Sequence, residues 1–265
     1  MEPEPAPQET LPLPPSHSPR DPWTFRDLLL FLGFAILALV ISNFVTLAAY
    51  AALRPIMGWP LSPEAIAQNA FFLLAAQLIF YVLIFAYVYL LVVFYYRLKF
   101  WEGIHWGRLT KQRLLRYIAV GIAVTVAVQL IPIFLPDKRR FPLERLFSSP
   151  ESSYAVAAFA VVIAPFMEEL IFRGVLFEVF ELRVGLGFAI AATAVLFAAM
   201  HVAEYWGAWD HVFLIFLVGL AFSLTRGLTK SLAPSVVMHM TYNTCLMVGL
   251  FFSTSHFRVI QCWIR

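Results

Sequence analysis

The chain has 265 residues, of which 61% are hydrophobic and 13% charged, and its formal net charge is +3. Soluble domains run at roughly 45–50% apolar and about 25% charged, so this balance excludes an ordinary water-soluble globule. The small positive charge is spread over short loops, which excludes a nucleic-acid-binding patch and reads as a membrane-orientation signal.

Residues 1–22 are rich in Pro, Glu and Ser and predict a disordered tail. Continuous apolar runs follow near 28–53, 70–96, 117–135, 154–180, 186–203, 211–226 and 231–252. In lipid every backbone polar group needs an internal partner, which leaves helices or a closed barrel. Barrel strands would alternate apolar and polar residues over about 9–11 positions, and these runs do not. The expected fold is therefore an all-α, polytopic transmembrane helix bundle of about seven spans, the sixth run being the short one. The expected organisation is a tail at 1–22, N-terminal scaffold helices at 23–149, a catalytic core at 150–252 and a C-terminal tail at 253–265.

Lys and Arg count eleven on the side of the N-terminus and seven on the other, which predicts an inside N-terminus. Loop 97–116, with Trp101, His105 and Trp106 among its basic residues, is expected to lie on anionic headgroups. The two cysteines, Cys245 and Cys262, form no metal-binding pair or disulfide framework. Trp263 and Arg265 spoil Cys262 as a prenylation box.

Ionisable residues at membrane depth are costly and mark function. Here they concentrate in the C-terminal half. The fourth run carries Glu168, Glu169 and Arg173; the fifth ends in Phe197-Ala198-Ala199-Met200-His201; the seventh carries His239 and Asn243. The first three runs have no charge in their apolar interiors and read as scaffold.

Neighbouring helical residues lie about 100° apart, so Glu168 and Glu169 cannot share a direction. Glu169 and Arg173 stand at i,i+4 in the favourable polarity and predict an ion pair. Glu168 is left without a local partner. Pro165, three residues earlier, removes a backbone donor and can kink the helix there. If the three polar faces converge, one free carboxylate, two imidazoles and a carboxamide can activate water and steady an oxyanion. Glu204, three residues after His201, is a candidate supporting group.

The ordered triple Glu168-Glu169-x-x-x-Arg173, Phe197-x-x-x-His201 and His239-x-x-x-Asn243 resembles the signature of the CPBP intramembrane metalloproteases. That family takes in the type II CAAX prenyl proteases and the Abi and lysostaphin-resistance-like proteins. The resemblance covers residues 150–250. It implies a membrane-embedded endopeptidase in which Glu168 activates water and His201 positions it. His239 and Asn243 would stabilise the oxyanion, and Glu169 and Arg173 would support the helix. It also implies a peptide or protein substrate, prenylated or a leader peptide, met within the bilayer of a bacterial plasma membrane. Zinc held by Glu168, His201 and His239, with an open fourth position, is an alternative to a metal-free Glu–His mechanism. The sequence lacks the HExxH pattern of a helical zinc site. The rival readings are a non-enzymatic immunity or scaffold protein and a small transporter. The oligomeric state stays open.

Overall fold

The computed structural model describes residues 23–60, 62–131, 146–147 and 149–257. The Pro-rich tail, the basic cluster 138–145 and Cys262 lie outside the described residues, as does the end of the third run beyond residue 131. The described residues form helices and no strand.

Helix α1 spans Phe25–Met57. Thr24 and Asp27 form a capping box at its start, and Gly58, with φ 66°, ends it in the left-handed region that glycine enters freely. A short α2, Pro63–Ala67, leads to α3, Ala70–Leu90, which continues as a π-helical turn to Tyr95. The Tyr96 hydroxyl donates to Asp27, and Trp23 Nε1 donates to the carbonyl of Gly103, 3.3 Å away. These contacts fasten the start of α1 to the end of α3 and to α4, Phe100–Gly103.

Helix α5 runs over Lys111–Leu130. Lys111, Arg113 and Arg116 therefore belong to the first turns of the third spanning helix, not to the loop before it. Helix α6 is one continuous rod, Pro150–Arg183, with Ser149 as its cap and Pro150 in its first turn, where a missing N–H costs nothing. Helices α7, Leu186–Met200, α8, Trp209–Thr229, and α9, Leu232–Ser253, complete the chain.

Among the described residues six helices are long and apolar enough to cross a membrane, and a seventh apolar helix, α7, has 15 residues. The short member is thus the fifth in order, whereas the sequence pointed to the sixth. The sixth gains length because Trp209, Asp210 and residues 227–229 join it, and these carry too little hydrophobicity to be read as span. Large side chains such as Phe44 (72% exposed) and Ile36 (67%) stand on the outer face of α1. In water such exposure would be a liability, but in hydrocarbon it has no cost.

Helices α7 and α8 pack together, α9 packs against α5 and α6, and α3 lies along α1 and touches α6. The approach of α5 to α9 needs Gly121. A Cβ there would stand 2.9 Å from the backbone oxygen of Met238 and 2.9 Å from Thr241 Cβ.

Candidate active site

Two π-helical turns, Phe159–Ile163 and Leu170–Leu176, bracket the segment Ala164–Glu169 within α6. Such turns are rare and recur at functional sites. The disturbance expected at Pro165 takes this form. Proline has no N–H to return to the preceding turn, and in the π register the partner it leaves is the carbonyl of Ala160. Asn243 Nδ2, from α9, donates to that carbonyl at 2.8 Å. The carboxamide thereby closes the break in α6 from the neighbouring helix.

The predicted Glu169–Arg173 pair forms, with Nη1 2.9 Å from Oε1 and both side chains fully buried. Arg173 also donates through Nη2 to the carbonyl of Gly219 at 2.7 Å and through Nε to Ser223 Oγ at 3.2 Å. The aromatic faces of Phe197 and Phe222 flank the guanidinium, 4.7 and 5.6 Å from their centroids. Burying two charges in lipid is tolerable only when the pair is this fully bonded.

The same Glu169 oxygen faces His239 Nδ1 at 3.0 Å. A carboxylate can only accept, so Nδ1 carries a proton and Nε2 looks the other way. Nε2 lies 3.7 Å from Glu168 Oε2, too long for a direct hydrogen bond. The His239 ring is buried, stacked on Phe222 with centroids 4.8 Å apart and edge-on to Phe197 at 5.7 Å.

Glu168 has the freer carboxyl of the pair, its side chain 16% exposed. Its other oxygen accepts from the hydroxyl of Tyr81 in α3, 3.2 Å away. That contact was not legible in the sequence, where a tyrosine in an apolar run looks like packing.

His201 closes α7. Its Nδ1 donates to the carbonyl of Phe197 at 2.8 Å, leaving Nε2 uncommitted by that bond. Phe197 touches the rings of both histidines, with centroids 4.7 Å from His201 and 5.7 Å from His239. The motif phenylalanine is therefore the wedge between them. Glu204, in the turn after His201, is within electrostatic reach of His201 and Glu168. Burial raises its carboxyl above the ordinary carboxylate range; the His201 ring opposes that and the Glu168 charge adds to it.

The structure thus joins Glu169, Arg173 and His239 in one bonded cluster, brings Glu168 to 3.7 Å from the His239 ring and sets His201 against that ring through Phe197. Asn243 is bonded to the backbone of α6 instead of to Glu168. The donors Glu168, His201 and His239 have the right chemistry for zinc. However, among the described residues no group of three His, Cys, Asp or Glu side chains is placed to hold one ion. As placed, the residues do not fit a three-ligand metal centre.

Fold and site together define a polytopic membrane protein with a buried carboxylate–imidazole centre in its C-terminal half. Residues 150–245 match the family model described as Rce1-like, type II CAAX prenyl endopeptidase, and this supports the CPBP/CAAX protease family for the chain. At the level of that family, the match supports a CAAX-type intramembrane endopeptidase. Comparison with curated proteins gives no match, and comparison with solved structures gives none.

Proposed function

We propose that this protein hydrolyses a peptide bond near the C-terminus of a prenylated protein, using water activated by Glu168 and His201. The observation that carries the reading is the setting of Glu168: a carboxylate at membrane depth, beside an imidazole, with no Lys or Arg paired to it among the described residues. Arg173 is consumed by Glu169, so Glu168 is free to take a proton.

Glu168 removes a proton from water, and the oxygen attacks the scissile carbonyl carbon. Glu168 Oε2 and His239 Nε2, 3.7 Å apart and not bonded to each other, can both face the attacking water. His201 orients the water through Nε2, which its bond to Phe197 leaves facing outward. The carbonyl oxygen becomes an oxyanion, steadied from α9 by His239 and by the second amide hydrogen of Asn243. Collapse breaks the C–N bond, and Glu168 returns its proton to the leaving nitrogen. The products are a new carboxylate and a free amine. Glu169 and Arg173 keep α6 in register throughout.

An apolar prenyl chain suits a site reached through lipid, since the chain partitions into the acyl region with the peptide alongside. The basic bias places the N-terminus inside, and we place the protein in a bacterial plasma membrane with residues 150–252 as its catalytic part.

The test is cleavage by the full chain in lipid nanodiscs. The substrates are a farnesylated C-terminal peptide, the same peptide without the lipid, and a leader peptide, each followed by mass spectrometry in ¹⁸O water. The expected result is cleavage of the farnesylated peptide with one ¹⁸O in the new carboxylate. Undiminished cleavage by Glu168→Ala or His201→Ala would overturn the roles given. Stoichiometric zinc in the purified protein, with cleavage abolished by chelation and restored by zinc, would overturn the metal-free route.

A further inference from the structure

We propose that Tyr81 is a positioning residue of this centre: its hydroxyl, steered by Gln77, holds the carboxylate of Glu168 in the attitude from which it takes a proton from water. The inference rests on the hydrolytic reading of Glu168 and names the group that completes the base.

Tyr81 lies on α3, 87 positions before Glu168 and outside the stretch that matches the family. It is 5% exposed. A phenol has one hydrogen to give. Gln77 Nε2, one turn earlier on α3, donates to the phenol oxygen at 2.9 Å. That bond occupies an oxygen lone pair and directs the Tyr81 hydrogen toward Glu168 Oε1, at 3.2 Å. A donor on the phenol oxygen also polarises its O–H and strengthens the bond it gives.

The ring has little freedom. It stacks on Phe159 with centroids 5.9 Å apart and planes 7° from parallel. Phe159 opens the first π-helical turn of α6, so the platform under Tyr81 is part of the distortion that presents Glu168. The hydroxyl lies on the ring axis, so ring flips do not displace it.

Glu168 needs such a hold. Glu169 is fixed by two partners, but Glu168 has only a 3.7 Å approach to His239 on its other oxygen. An unanchored glutamate in a partly open site samples several side-chain rotamers, and a base displaced by about 1 Å can lose a hundredfold in rate. The scaffold half thus supplies a working part of the centre.

The test uses the full chain in nanodiscs and the farnesylated peptide. Tyr81→Phe keeps the ring and its stack on Phe159 and removes only the hydroxyl. We expect kcat to fall about tenfold to a hundredfold, KM to change less than about twofold, and Tm to stay within roughly 4 °C. Gln77→Leu is expected to lower kcat in the same sense but less. Tyr81→Phe added to Glu168→Gln is expected to cost nothing further, because the group it positions is already gone. Wild-type kcat in Tyr81→Phe overturns the proposal while leaving the protease reading intact, as does a loss that adds fully to that of Glu168→Gln. Should wild-type protein cleave no peptide, the protease reading fails by itself. Infrared spectra of protein with ¹³C-carboxyl glutamate then decide whether the contact exists. The Glu168 band, identified by its loss in Glu168→Gln, must shift in Tyr81→Phe, and an unmoved band overturns the inference.

Discussion

His239 and Glu169 are joined across α9 and α6, with Nδ1 3.0 Å from the carboxylate oxygen that also binds Arg173. Two adjacent glutamates thereby acquire different tasks. Glu169 fixes an arginine and an imidazole, and Glu168 is left for the role proposed above.

The two should separate under mutation. Glu168→Gln is expected to reduce kcat by about 10²–10⁴-fold, the usual worth of a general base, with Tm little changed. Glu169→Gln strands the buried Arg173 and should destabilise the fold by on the order of 3–5 kcal/mol, with activity lost alongside. Thermal melts and peptide cleavage on the same preparations decide it. Equal loss of stability in both variants would contradict the division.

Asn243 offers a second test, because its amide bonds Ala160 across the gap left by Pro165. Asn243→Asp places an acceptor against an acceptor and should lower Tm more than Asn243→Ala does. Each leaves a buried carbonyl unpaired, at a cost of about 1–3 kcal/mol. If Pro165→Ala is made in the Asn243→Ala background, the restored backbone N–H should recover part of that loss.

Gly121 predicts a steric effect. Alanine favours a helix over glycine by about 1 kcal/mol, yet at this position its Cβ meets the backbone of α9 at 2.9 Å. Gly121→Ala should therefore destabilise by roughly 1–3 kcal/mol, read as a lowered Tm. Gly33→Ala, where nothing lies within 4 Å, should not.

His105 gives a pH dependence. Its ring lies in the turn after α4, with Nδ1 3.6 Å from Glu178 Oε2, and its carbonyl accepts from the backbone of Leu232. Burial lowers its pKa from the ordinary 6.5; Glu178 opposes this and Arg226 adds to it. A folded-state pKa below the unfolded value means the unfolded chain binds more protons in that window, so stability falls as pH drops from about 6.5. His105→Gln should flatten the acid side of a plot of Tm against pH. An unchanged slope would refute the link.

The bundle was legible in the sequence because lipid imposes long apolar runs, and the Glu169–Arg173 pair because i,i+4 spacing fixes who meets whom. The length of α7 and α8 was less so. Their ends are set by a turn through Glu204 and Gly207 that mixes apolar, aromatic and charged residues, so hydropathy draws no sharp edge there. Tyr81 was invisible for a different reason. A neutral phenol contributes to an apolar run like any aromatic, and its partner lies 87 residues away. Asn243 was seen as polar and on the right face, but its bond to Ala160 follows from a π register that no spacing rule announces.

The brevity of α7 sets the depth at which chemistry can occur. Fifteen residues rise about 22 Å, against roughly 30 Å of hydrocarbon. With the Arg183–Gly185 turn at one surface, a helix of this length would stop short of the other, leaving the His201 imidazole that ends it within the bilayer. For the hydrolysis proposed above, water has to reach down to that end of the helix. A thicker bilayer would widen the distance that water has to cover.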